Sequence, residues 1–250
     1  MTFILEHADY LDFLGCLADG SVDAVITDPP YGVNYQNPYT QKKFDVLEGD
    51  AEEFSYEPLA EQAYRILKQD SAFFAYTGWS TYPRHFLDLR LSTKFQMKEP
   101  LVVQKRPSGT TDLEGSFQTN ADWLLFAKKG NFKFRQTQLV RNKRAGTIPN
   151  KGRKPVPEFK HRFPSHWFGE EYPFSTENPA LKVAHPTPKS VEFLSWLVQL
   201  TTDPGGVVVD PFMGSGSVAL ACKATGRKFL GCDVKEEFVA LARTRLEETK

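Results

Sequence analysis

The sequence predicts an α/β fold: a doubly wound, mostly parallel sheet with helices on both faces, interrupted by a basic, irregular insertion. Three observations carry this. Short apolar runs of strand length alternate with stretches of helical period, which implies parallel strands joined by crossover helices. A glycine-rich turn joins such a strand to a helix near the C-terminal end, in "VVVDPFMGSGSVALA". Between Asn131 and Ser165 the chain carries ten Lys or Arg against one acidic residue, Glu158, although the 250 residues as a whole balance 31 basic against 31 acidic side chains.

In chain order, Phe3–Leu5 reads as a short strand, Leu11–Leu17 as a helix, and Ala24–Thr27 as a buried strand. The polar run "YTQKKFDVLEGDAEEF" reads as loop. In "SYEPLAEQAYRILKQD", Leu59, Ala63, Ile66 and Leu67 fall at helical spacing, with Ser55 placed to cap and Pro58 in the first turn. Ala72–Tyr76, Leu101–Gln104 and Trp123–Ala127 have strand character. Order returns at "HPTPKSVEFLSWLVQL", where Thr187 is the expected cap, Pro188 the first helical residue, and Val191, Leu194, Leu197 and Val198 the apolar face. Strand Val207–Val209, helix Ser217–Thr225, strand Lys228–Cys232 and helix Glu236–Glu247 close the chain. The expected organisation is 1–130, an insertion at 131–184, and 185–250. The aromatic stretch Phe163–Phe174 is expected to form a small packed lobe.

Composition excludes several classes. Cys16, Cys222 and Cys232 lie far apart with no CxxC pair, so neither a disulfide framework nor a zinc site is expected, and a reducing, cytoplasmic setting fits. The start "MTFILEHADYLDFL" has no basic flank, and no 18-residue apolar span occurs, so neither a signal peptide nor a membrane partner is expected. Histidines 7, 85, 161, 166 and 185 show no ligand spacing, so no metal is expected.

Two stretches carry chemistry. In "DAVITDPPYGVNY" a buried strand ends in Asp28-Pro29-Pro30-Tyr31. Successive prolines stiffen the backbone and remove two donors, fixing a carboxylate and an aromatic ring as a flat, polar-edged ligand would require. In the second stretch Gly214, Gly216 and Ala219 match G-x-G-x-x-A, and Asp233 follows Gly214 by 19 residues, the spacing of a carboxylate that takes ribose hydroxyls. An NAD-dependent oxidoreductase fits that unit alone. Asp233 to Glu236 also reads as a capping box for the last helix. Against NAD, Asp210-Pro211-Phe212-Met213 places an acid and bulk where a pyrophosphate wants bare N–H groups. Such an acid suits a ligand with a cationic end, as in S-adenosylmethionine, which has an ammonium, a sulfonium, a ribose and no phosphate.

Three elements in order, Asp28-Pro29-Pro30-Tyr31, then His185-Pro186-Thr187-Pro188-Lys189, then Asp210 to Gly216, with a basic stretch between the first two, resemble the beta group of DNA amino-methyltransferases. The resemblance covers nearly all of the chain outside about 131–184. It implies a methyltransferase-like sheet with permuted motif order, S-adenosylmethionine as cofactor, and methyl transfer to adenine N6 or cytosine N4 of a flipped base. Residues 1–130 become the catalytic half, 131–184 the target-recognition insertion and 185–250 the cofactor-binding half. Asp28 and the Pro29 carbonyl would accept the amino hydrogens, with Pro30 holding the turn and Tyr31 stacking on the base. Lys189, Phe212 and the loop Gly214, Ser215 and Gly216 would border the methionine part, with His185, Thr187, Asp28 and Asp210 lining the same pocket. Asp233 would bind the ribose, and Asp9 would reach the adenine. The family pattern has Gln at position 188 and Glu at 233, so this chain's Asp233 is one methylene shorter.

Asp at position 28, where Ser is the alternative, leans to adenine N6 within the resembled family; cytosine N4 is the alternative. Cytosine C5 methylation needs an attacking thiolate, and no Cys follows a Pro here. Double-stranded DNA is the implied partner, in a bacterial or phage-like setting, with a homodimer and a cognate restriction endonuclease left open. The basic run, with Arg141, Lys143, Arg144, Lys151, Arg153 and Lys154, suits phosphate and base-edge contacts. A non-catalytic nucleic-acid binder would explain that run without needing the glycine loop.

Overall fold

The computed structural model describes residues 2–31, 54–104, 121–135, 138–141, 159–162 and 189–249. The chain begins with β1 (Phe3–His7), α1 (Tyr10–Gly15), β2 (Val22–Thr27), α2 (Glu57–Ile66), β3 (Leu67–Thr77) and α3 (Tyr82–Ser92). Strands β4 (Gln96–Met97), β5 (Leu101–Gln104) and β6 (Ala121–Lys129) follow. Strands β7 (Gln138–Arg141) and β8 (Phe159–Arg162) pair antiparallel with each other, so among the described residues the basic insertion holds a two-stranded ladder where only irregular chain was expected. Helix α4 (Val191–Thr201), β9 (Val207–Asp210), α5 (Ser217–Thr225), β10 (Lys228–Asp233) and α6 (Glu236–Glu248) complete the order.

The main sheet runs β1-β10-β9-β2-β3-β6, with β4 and β5 both paired to β6. Its pairs from β1 through β3 are parallel, and β6 returns antiparallel. Alternation along each strand divides the core into two layers. Val25, Phe73 and Ala75 face Phe13, Leu14, Leu59, Ile66 and Leu89 of α1, α2 and α3. Ile26, Phe74 and Val208 face Phe193, Leu194, Val218 and Val239 of α4, α5 and α6. Each large apolar side chain so buried contributes about 1.5–3 kcal/mol. Among the described residues, no helix is long and apolar enough to cross a membrane.

Several boundaries differ from expectation for local reasons. Leu67, counted within the second helix, is instead the extended residue that ends α2 and opens β3, with no turn between them. Lys129 Nζ donates to the Tyr64 and Leu67 carbonyls, satisfying acceptors that the helix end leaves open. Ser55 acts one residue outside the cap position: its Oγ accepts from Glu57 N–H at 3.2 Å, and the cap itself is Tyr56. Helix α4 begins at Val191 with Ser190 as cap, its Oγ accepting from Phe193 N–H, so the expected Thr187–Pro188 start is displaced; both residues lie outside the described set.

The topology places the site. From β9 the chain winds outward to β10, and from β2 it winds the other way to β3, yet β9 and β2 are paired neighbours. Their carboxyl ends therefore flank a topological switch point, where an open α/β sheet leaves a crevice.

Candidate active site

Asp28 stands at the end of β2, one side of that crevice, and the buried Pro29 fixes the chain that leaves it. Both Asp28 oxygens are engaged. Tyr31 Oη donates to Oδ1 at 2.6 Å, and Lys189 Nζ lies 2.9 Å from Oδ2, the two charged side chains being 25% and 18% exposed. Lys189, just before α4, also sits over the Tyr76 ring, 4.6 Å from its centroid. Burial pulls the Lys189 ammonium down, but the charges of Asp28 and Asp122 outweigh it and leave the pKa raised, so the lysine stays protonated. Burial, with Asp28 second, pushes the Tyr31 phenol well above its usual range, so it stays a donor.

Asp210 stands across the crevice, at the end of β9 and 2% exposed. Thr27 Oγ1 donates to its Oδ1 at 2.7 Å and Phe212 N–H to the same oxygen at 3.1 Å. Thr27 immediately precedes Asp28, so this bond ties the two carboxylate-bearing segments together. Burial pushes Asp210 up to about 7 against both hydrogen bonds, with the charges of Asp28 and Asp233 adding to the rise.

The glycine loop then turns into α5 with Gly214 and Gly216 at φ 47° and 78°, backbone that other residues rarely adopt. At Gly216 a Cβ would also meet Ala242 Cβ of α6 at 2.8 Å. The loop is clamped from outside. Arg245 donates to Ser215 O at 2.6 Å, and Met213 N–H to Cys232 O at 3.0 Å. Asp233, ending β10, accepts from Gly214 N–H at 2.9 Å and Lys235 N–H at 3.0 Å. The capping box at 233–236 is therefore not formed; the cap of α6 is Lys235, which has no side-chain bond, and the acid is turned to the loop. Burial raises Asp233 against those two N–H bonds. Ser217 Oγ, buried at the start of α5, has no hydrogen-bond partner among the described residues.

Asp9 caps α1, its Oδ1 accepting from Leu11 N–H at 2.7 Å, and pairing of His7 with Asp233 brings it to the same sheet edge. Phe212 packs on Tyr10 at 4.9 Å and Phe54 at 5.7 Å, an aromatic wall that the motif reading did not anticipate. His85 is a core residue, stacked on Tyr56 at 3.7 Å, with its pKa drawn down to about 4 by burial and Arg84. Cys232 is buried, its thiol pushed up by burial and donating to Pro211 O. Arg141 lies on β7; His185, Thr187, Lys143, Arg144, Lys151, Arg153, Lys154 and the stretch Phe163–Phe174 lie outside the described residues.

A doubly wound sheet that carries a glycine loop and the Asp233 carboxylate on one side of its switch point, and a rigid Asp-Pro-Pro-Tyr on the other, is an arrangement suited to a group transferase that works with a bound cofactor. The DNA methylase family model, of the N6/N4 methyltransferase type, matches residues 22–244, and the chain belongs to that family. The Type II methyltransferase M.HpaI of Haemophilus parainfluenzae is 26% identical over 235 residues, spanning 92% of this chain and 70% of that protein. The DNA adenine methyltransferase YhdJ of Escherichia coli K12 is 25% identical over 258 residues, spanning 96% and 81%. Among solved structures, the M1.HpyAVI–SAM complex superposes with TM-score 0.61 at 22% identity, covering 98% of this chain and all of that one. The PvuII cytosine-N4-specific DNA methyltransferase gives 0.70 at 17%, covering 100% and 88%. The cofactor is S-adenosylmethionine, and the oxidoreductase and non-catalytic alternatives fall away.

The residues fit that cofactor. The loop offers a carboxylate, Asp233, at the end of the second strand, a buried hydroxyl, Ser217, that has no partner among the described residues, and an acid, Asp210, beside the turn.

Proposed function

We propose that this chain methylates the exocyclic amine of a flipped base in double-stranded DNA, adenine N6 in preference to cytosine N4. The observation that carries it is the Asp28 carboxylate, held on a prolyl-stiffened segment across the switch point from the glycine loop. The amine's lone pair is delocalised into the ring, so it is a poor nucleophile. Asp28 and the Pro29 carbonyl accept its two hydrogens and draw the nitrogen towards tetrahedral geometry, which frees the pair. S-adenosylmethionine supplies an electrophilic methyl on sulfonium. Fixed acceptors need no reorganisation as charge develops, so positioning carries the step. Lys189 holds the second Asp28 oxygen in place, and Tyr31 gives its ring face to the displaced base. Asp9 and Asp233 hold adenine and ribose, and Asp210 faces the cationic end. The preference for adenine rests on Asp at position 28 and agrees with YhdJ being a DNA adenine methyltransferase; the cytosine-N4 specificity of the PvuII enzyme keeps cytosine as the second reading. The insertion 131–184 would read the target.

The test is methylation of unmodified plasmid DNA, with modified bases mapped and identified chemically. Asp28→Ala should abolish transfer, a loss on the order of several kcal/mol of transition-state stabilisation, with affinity for S-adenosylmethionine near normal. Undiminished turnover by Asp28→Ala would remove the mechanism, and N4-methylcytosine as product would reverse the base preference.

A further inference from the structure

Among the described residues, one large aromatic side chain at this end of the sheet belongs to neither layer of the core. Trp79 is 69% exposed, although the seven residues of β3 before Gly78 are all buried. It belongs to the turn Gly78–Thr81 that follows β3, and that turn is held firmly. Thr81 N–H and Tyr82 N–H both donate to Gly78 O, at 3.2 and 2.8 Å. Thr81 Oγ1 donates to the same carbonyl at 3.2 Å and lies 3.3 Å from Thr77 Oγ1, which in turn bonds the buried His85 ring at 2.8 Å. The indole is therefore presented by a braced turn. Gly78 lies beside the site: a Cβ added to it would stand 3.8 Å from Tyr31 Cδ2, so Trp79 follows directly on a residue that adjoins the Tyr31 ring.

An exposed indole stabilises no fold, but it is the best stacking surface a side chain can offer a nucleobase, and stacking accepts any base. Resting on the proposed DNA reading, we infer that Trp79 stacks on a base of the substrate beside the target nucleotide, bracing the strand while Tyr31 receives the target itself. Side chains that enter an opened stack in this way are a recurrent device of proteins that distort DNA.

The test uses the full chain and a duplex carrying the sequence mapped as methylated by the wild type. Trp79→Ala should weaken duplex affinity about five- to 150-fold, the range that loss of one stacked base implies. Trp79→Phe should recover most of that loss. Affinity for S-adenosylmethionine and the melting temperature should not move in either variant. The quenching of protein fluorescence on adding duplex should fall in both, since Trp79 is one of four tryptophans and the one at this turn. Wild-type duplex affinity and quenching in Trp79→Ala would overturn the inference while leaving the methyltransferase reading intact. A drop in melting temperature or cofactor affinity would overturn it as well, by making Trp79 a structural residue. Absence of methyl transfer by the wild type to any duplex would instead sink the reading on which the inference rests.

Discussion

Asp210→Asn separates what the fold wants from what the site wants. Asp210 is buried, and both of its hydrogen bonds, from Thr27 Oγ1 and Phe212 N–H, arrive on Oδ1. An asparagine Oδ1 can accept both, so the substitution removes ionisation and keeps the local bonding. The folded carboxyl sits near 7 against 3.8 for the ordinary group. Raised above its unfolded value, it favours the protonated folded state, so its contribution is complete below about pH 4 and is lost as pH rises to 7. Three pKa units at about 1.4 kcal/mol each put a ceiling of about 4 kcal/mol on that loss. Thermal melts of wild type and variant without cofactor, from pH 4 to 8.5, should show Asp210→Asn gaining on wild type by up to ~1.4 kcal/mol per pH unit to pH 7, then levelling. A gain of about 2–4 kcal/mol at pH 8 corresponds to roughly 4–16 °C in a chain of this size. The same variant should bind S-adenosylmethionine less tightly, because the cationic end of the ligand loses its counter-charge. A stability difference that does not vary with pH would refute the reasoning, because only titration of this group produces the slope.

Three further outcomes follow from the site. Tyr31→Trp, which keeps a ring face, should retain more methyl transfer than Tyr31→Ala, and equal losses in turnover assays would place the role in the Tyr31–Asp28 hydrogen bond. Asp233→Asn should raise the KM for S-adenosylmethionine with little loss of maximal rate once saturated; an unchanged KM with a lower melting temperature would leave the acid only its bonds to Gly214 and Lys235. Neutralising Arg141, Lys143 and Arg144 together should lower the salt slope of log DNA affinity by roughly one per lost phosphate contact while cofactor binding stays constant, and identical slopes would move the target reader elsewhere.

What the sequence made legible depended on how local the cause was. The β9–α5–β10 unit was readable almost to the residue, because strand, glycine turn and helix are each set by neighbouring side chains. Helix α3 was not: Tyr82, Phe86 and Leu89 line its core face, but Leu87 and Leu91 face outward and the polar His85 is buried, so the apolar period is blurred in the sequence. The α2–β3 junction was misplaced because no Gly or Pro marks it. Motif spacing brought Asp28, Gly214 and Asp233 into one frame. It could not foresee that Lys189 would sit on Asp28, since that contact exists only once α4 closes over the Tyr76 face of β3. The aromatic wall of Tyr10, Phe54 and Phe212 joins three distant segments, and no short-range pattern encodes it.

Strand β2 is hydrogen-bonded on both sides, to β9 and β3, so Asp28 hangs from one of the most enclosed strands of the sheet, with buried Pro29 behind it. Such an anchor does not travel. On the proposed reading, the nucleotide must therefore make the whole journey, and the work of opening the helix falls on the DNA. A target base that is already mispaired needs less of that work. The stiffness of one strand would thus make the enzyme a reader of how firmly its substrate base is paired, with hemimethylated, mismatched and fully paired duplexes ranked by their own opening energies.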